Sequence, residues 1–189
     1  MTRNGFSPQR LALLAMMTAL VFVSNYLRVT MPINIGGNTS FTLANIMCCL
    51  SGLLLGPIGG LASGLGSALF DLTDPRFVSE CWLTFLTKGA MGLFAGLVML
   101  RAEKRESPSY GRCVAGAVVG CVVYYILYFT KSYFYNGLLV EGLQPMVALA
   151  TLPLKAPASV FDGVIAIVAA PPLCLAIRAA LKRAHLNLI

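Results

Sequence analysis

Apolar residues run along this chain in blocks of membrane-spanning length, and the polar positions between them are few and grouped. Residues 11–29 form the first block, close to the roughly 20 residues needed to cross a hydrocarbon core. No clear cleavage site follows it, so it reads as a retained span rather than a leader. Residues 32–40 are an uncharged polar loop rich in hydrogen-bonding groups. Blocks 41–55 and 58–72 are shorter and meet at Gly56-Pro57, a turn dipeptide. Residues 73–80 form a second polar loop, 81–100 a fourth span and 101–112 a basic loop. Residues 113–134 form the fifth span and 135–144 a further loop. The stretch 145–156 is apolar but broken by Pro153, Lys155 and Pro157, so it predicts a loop or re-entrant segment, which needs shelter from lipid. A sixth span follows over 158–177. The pattern predicts an all-α integral membrane protein, a single domain over 1–189 folded as a six-transmembrane-helix bundle.

Composition agrees with this pattern: 58% of the 189 residues are hydrophobic and 11% charged. An ordinary soluble domain carries about 25% charged residues. A net charge of +7 would suggest nucleic acid in a soluble protein, but the positions of the charges say otherwise. Nine basic residues (at 3, 10, 101, 104, 105, 112, 178, 182 and 183) fall on one side of a six-span arrangement, and only Arg28, Arg76 and Lys131 on the other. The positive-inside rule then places both termini and the basic loop in the cytoplasm of a bacterial-type plasma membrane, with no nucleic-acid partner expected. The six cysteines form no CxxC, so no metal site is expected and they read as packing residues.

Several small residues recur at four-residue spacing: Gly52, Gly56, Gly60 and Gly64; Gly92 and Gly96; Gly116 and Gly120. That spacing permits close helix approach, either within the bundle or against a partner.

Charges inside spans are costly and therefore informative. Lys88 lies about 12 Å below Glu80 at the helical rise, and Asp162 about 10 Å below Lys155. Their similar depth makes an internal ion pair one reading and a shared polar ligand cavity another. Glu80, Thr84 and Lys88 form one helical stripe, and Tyr124, Tyr128, Lys131 and Tyr135 another. Tyr135 suits an interfacial belt. The deeper tyrosines suit a flat heteroaromatic ligand, by stacking plus a hydrogen bond. Asn34, Asn38, Thr39 and Asn45 add polar groups toward the same side. The candidate substrate-binding set is Asn38, Thr39, Asn45, Glu80, Thr84, Lys88, Tyr124, Tyr128, Lys131, Lys155 and Asp162.

Enzyme signatures are missing from the sequence: no GxSxG or HExxH occurs, and the lone histidine, His185, reads as solvated. Asp71 and Asp74 form a short DxxD that reads as a solvated loop end. No catalytic residue is expected. No GxxxxGK[ST] occurs either, so no ATP site is expected in this chain.

Three stretches resemble the S components of energy-coupling-factor (ECF) transporters. Residues 11–19, with Ala15 and Ala19 four apart, look like the family's AxxxA helix. NIMCCLSGLLLGPIGGLASGLGSALFD over 45–71 is similar to its second and third helices, and FLTKGAMGLFAG over 85–96 resembles the start of its fourth. The likeness covers most of residues 8–100 and lies nearer the riboflavin-type and related branches than the biotin type. The sixth span departs, carrying Pro153-Leu-Lys155-Ala-Pro157 where those branches often have Asn or Gln after a proline. The resemblance implies a six-helix subunit that binds one vitamin or related micronutrient from outside. It further implies association with a transmembrane T component and two cytosolic ATPases, which use the ATP, this chain binding no cofactor itself. On that reading Ala15 and Ala19 dock the T component. A stand-alone secondary transporter and a small membrane enzyme are the rival readings.

Overall fold

The computed structural model describes residues 8–31, 39–103 and 109–183. It is helical apart from one short hairpin. Helix α1 (Pro8–Ser24) leads into strands β1 (Arg28–Met31) and β2 (Thr39–Thr42). Then come α2 (Ala44–Leu55), a 3-10 turn (Gly56–Ile58), α3 (Gly59–Thr73), a second 3-10 turn (Val78–Glu80) and α4 (Cys81–Glu103). Helix α5 (Tyr110–Lys131) runs on as a π-helical segment (Ser132–Val140), and α6 spans Pro145–Arg183.

The first apolar block ends as a helix earlier than its hydropathy predicts. Ser24 Oγ and Asn25 Nδ2 both donate to the Val21 carbonyl at 2.8 Å, which offers the backbone an alternative to further helix. The chain then turns, and β1 pairs antiparallel with β2, Arg28 opposite Thr42. The β-branched content of both segments suits such pairing. This hairpin also takes the first residues of the predicted second span, so α2 starts at Ala44.

Gly56 adopts φ 68°, the left-handed region that favours glycine, and there the chain reverses. Ser51 and Ser63 lie twelve residues apart, about 18 Å in a straight helix, yet their hydroxyls are 2.7 Å apart. Helices α2 and α3 are therefore a hairpin. A Cβ on Gly52 would overlap the Gly92 carbonyl oxygen, and one on Gly60 would lie 2.7 Å from the Gly89 carbonyl oxygen. The glycine stripes thus serve close packing of α2 and α3 on α4 inside the bundle.

Two predicted loops are helical. The outer loop expected over 135–144 is largely taken up by the π-helical extension of α5. The expected break over 145–156 is absent: α6 is one 39-residue helix carrying Pro153, Pro157, Pro171 and Pro172 inside it. Each proline removes one i→i−4 bond without ending the helix. At about 58 Å, α6 exceeds a hydrocarbon core of about 30 Å.

Among the described residues, three helical stretches are long and apolar enough to cross a membrane, Val78–Leu100, Tyr110–Val140 and Pro145–Arg183, and the apolar stretch Ala44–Thr73 is the α2 and α3 hairpin. Helix α1 is apolar but has 17 residues. The core is built from Met17 and Val21 of α1, Cys48, Cys49, Leu53 and Leu54 of α2, Met91, Ala95 and Met99 of α4, and small residues of α5 and α6. Five of the six cysteines are buried as free thiols and fill space there. Leucines such as Leu11, Leu61, Leu65 and Leu69 point outward, as a lipid-facing surface requires.

Candidate functional site

The hairpin, the end of α3, the first turns of α4, the end of α5 and the middle of α6 enclose a polar cavity of about 80 Å³. Lys88 of α4 reaches into it and is 6% exposed. Its ammonium donates to Asn45 Oδ1 from α2 and sits 4.7 Å from the centre of the Tyr124 ring. Tyr124 and Tyr128, one turn apart on α5, stack with centroids 5.7 Å apart and planes at 30°.

Asp162 of α6 forms another wall. Its two oxygens share the Thr42 backbone N–H at 3.2 and 3.3 Å. The Thr42 hydroxyl accepts the Ala44 N–H at 3.1 Å. The last residue of β2 thus fixes both the start of α2 and the Asp162 carboxylate.

Two ion pairs complete the wall. Lys131 meets Glu80 at 2.7 Å. Arg28 meets Asp71 at 3.5 Å, donates to Asn25 Oδ1 at 3.2 Å, and lies 4.8 and 4.7 Å from the Phe70 and Phe77 ring centres. Thr84, Thr87, Ser132, Asn136 and Ser159 add uncharged polar groups. The lining therefore holds Arg28, Lys88 and Lys131 against Asp71, Glu80 and Asp162, a formally neutral set.

Of the residues singled out from sequence, Glu80, Thr84, Lys88, Tyr124, Tyr128, Lys131 and Asp162 line this one cavity. Asn45 stands behind Lys88, and Lys155 stands behind Ser132, donating to its Oγ at 2.8 Å. Thr39 lies in β2, and Asn34 and Asn38 lie outside the described residues. Ala15 and Ala19 are exposed on α1, away from the cavity. The ion pair that matched depths suggested between Lys88 and Asp162 is not formed: among the described residues neither makes a salt bridge. They share the cavity but hold different neutral partners.

Sequence reading missed Arg28, Thr42, Asp71, Phe77, Thr87, Ser132, Asn136 and Ser159. Ser159 sits one turn before Asp162, and Ser132 one turn after Tyr128, so helical spacing signals both. Asp71 and Asp74 part company. Asp71 is buried against Arg28, whereas Asp74 takes Arg76 at 2.8 and 3.0 Å. The adjacent guanidinium holds the Asp74 carboxyl below the ordinary carboxylate range.

Comparisons with known proteins bear on the family and the fold. Residues 5–179 match the family described as "ECF-type riboflavin transporter, S component". An uncharacterised protein of Pyrococcus woesei is 29% identical over 120 residues, 63% of this chain and 74% of that one. A solved structure titled "Structure and mechanism of the S component of a bacterial ECF transporter" superposes with a TM-score of 0.62 at 19% identity. It covers 92% of this chain and 98% of that one, which establishes a common fold.

Proposed function

This chain belongs to the family of ECF-type riboflavin transporter S components, and from that premise we propose that its cavity captures one flat, uncharged heteroaromatic micronutrient from outside the cell. As a member of that family it is a multi-pass membrane protein and a substrate-binding subunit rather than an enzyme. The observation that carries the proposal is the pair of buried charges, Lys88 and Asp162, facing one cavity without an ion pair beside the stacked rings of Tyr124 and Tyr128. Charges held in a bundle at membrane depth are expensive unless they are satisfied. Lys88 retains donors for a ligand carbonyl or ring nitrogen, and Asp162 retains acceptor capacity for a ligand N–H or O–H. The tyrosine faces suit a flat ring, and the balanced lining favours a ligand without net charge. Riboflavin, the ligand in the family's description, fits these requirements and is the first probe.

The finer arrangement belongs to the same proposal. Helix α1 crosses once, the α2 and α3 hairpin twice, and α4, α5 and α6 once each, with both termini cytoplasmic as the basic residues require. Asn38 and Thr39 remain candidate ligand contacts, and Lys155 acts through Ser132. A T component docks over Ala15 and Ala19, whose exposure leaves that face open, and two ATPases on the cytosolic side supply the energy for release.

The test is a riboflavin titration of the purified chain, read by quenching of flavin fluorescence. Saturable binding is expected, weakened tenfold or more in Lys88→Met and in Asp162→Asn. Wild-type affinity in both folded variants would contradict the site.

A further inference from the structure

We infer that Ser132 and Asn136, on the π-helical end of α5, read an amide edge of the ligand ring, a carbonyl beside an N–H. The Ser132 hydroxyl donates to that carbonyl, and the Asn136 side-chain oxygen accepts from that N–H. Lys155 is the positioning residue that aims the Ser132 proton. This inference rests on the proposed function and narrows its ligand class to ring lactams and imides.

Much of the cavity wall is already committed to protein partners. Lys131 holds Glu80, and Arg28 holds Asp71. The hydroxyls of Thr87 and Ser159 donate to the backbone carbonyls of Thr84 and Lys155. Ser132 and Asn136 differ. Their segment closes backbone bonds five residues apart, as from the Glu141 N–H to the Asn136 carbonyl at 3.1 Å, and both line the one cavity. Lys155 of α6, 1% exposed, donates to Ser132 Oγ at 2.8 Å. An ammonium has no lone pair with which to accept, so the Ser132 proton points away from Lys155. A bond from a cation also makes that hydroxyl a stronger donor. Asn136 Oδ1 is buried with no hydrogen-bond partner among the described residues, so the two side chains do not satisfy each other. One wall thus offers a donor and an acceptor four residues apart, with about 5–6 Å between Cβ atoms at helical spacing. A ring carbonyl next to a ring N–H meets both. An edge without the N–H leaves the buried Asn136 oxygen unpaired, and a site built around such a group rejects the analogue that lacks its partner.

The test compares riboflavin with 3-methylriboflavin, which keeps both ring carbonyls and carries N–CH3 in place of the N–H between them. Affinities are read by quenching of flavin fluorescence on the purified full-length chain. The wild type should favour riboflavin by tenfold or more. Asn136→Ala removes the acceptor and should bring the preference to threefold or less through a loss of riboflavin affinity, with saturable binding of the methyl analogue reporting a folded site. Lys155→Met and Ser132→Ala should each weaken both flavins about fivefold or more while keeping the preference between them. Combined, they should lose no more than twofold beyond either alone, since Lys155 acts through that one hydroxyl. A wild-type ratio near one with tight riboflavin binding overturns the amide edge, the result expected if water fills these positions. A tenfold ratio that survives Asn136→Ala also overturns it, because the methyl group is then excluded elsewhere. Losses from Lys155→Met and Ser132→Ala that multiply overturn the positioning role. If the wild type binds neither flavin, the flavin reading of the cavity fails and the amide edge fails with it.

Discussion

Replacing Asp71 with alanine removes the carboxylate that faces Arg28 and leaves its guanidinium in the cavity wall. The side chains are 3% and 11% exposed and the closest N and O atoms are 3.5 Å apart. Breaking a buried pair by deleting one member typically costs about 3–5 kcal/mol. Two features reduce that figure here. The separation is long for an ion pair, and the guanidinium keeps the Asn25 amide oxygen and the faces of Phe70 and Phe77, each ring being worth about 0.5–2 kcal/mol. The expected loss is about 2–3 kcal/mol. For a chain of this length 1 kcal/mol moves the midpoint by about 2–4 °C, so Asp71→Ala should lower it by about 5–10 °C. Thermal unfolding of the detergent-purified protein, followed by circular dichroism, measures this. Arg28→Met should cost a similar amount, and Arg28→Met with Asp71→Leu should lose about 2 kcal/mol less than the sum. A midpoint for Asp71→Ala within 2 °C of wild type, or strictly additive losses, would refute the pairing.

Lys88 and Asp162 should behave differently, because each holds a separate neutral partner: Lys88→Met with Asp162→Leu should show less than about 1 kcal/mol of mutual rescue in the same melts, and strong rescue would restore the direct pair. Ala15→Trp and Ala19→Trp, on the exposed face of α1, should leave melting and ligand affinity of the purified subunit unchanged while uptake and recovery of T component and ATPases fall severalfold. Normal uptake by both variants would remove the docking role. On a cysteine-free background, a cysteine at Ser107 should resist an impermeant thiol reagent added to intact cells and react after lysis; labelling from outside would invert the topology.

Much of the cavity is legible in the sequence because helical period alone brings its members together. Glu80, Thr84 and Lys88 share one face of α4, and Tyr124, Tyr128 and Lys131 one face of α5, so stripes read at 3.6 residues per turn became cavity walls. That Lys88 and Asp162 share a level in the bundle was legible, but not their rotation about the helix axes, so a shared cavity could be read and a partner could not. Asn45 proved to be the partner of Lys88. Arg28 and Asp71 lie 43 residues apart and meet where the chain leaves α1 through the β1 and β2 hairpin, a turn that hydropathy conceals within an apolar block. Pro153 and Pro157 read as a break because proline disfavours helix interiors, yet α6 runs through both. The glycine spacing left packing and docking open, and the contacts of Gly52 with Gly92 and of Gly60 with Gly89 resolve it as packing.

The proposed site holds one small heteroaromatic ligand in a cavity that depends on Lys88. Its most direct measurement is the release of small molecules from the purified, acid-denatured protein and their identification by mass spectrometry, wild type beside Lys88→Met. A flat, uncharged heteroaromatic compound is expected near one equivalent per wild-type chain, with at least tenfold less from the folded variant. An anionic ligand, or equal amounts of the same compound from both proteins, would contradict it.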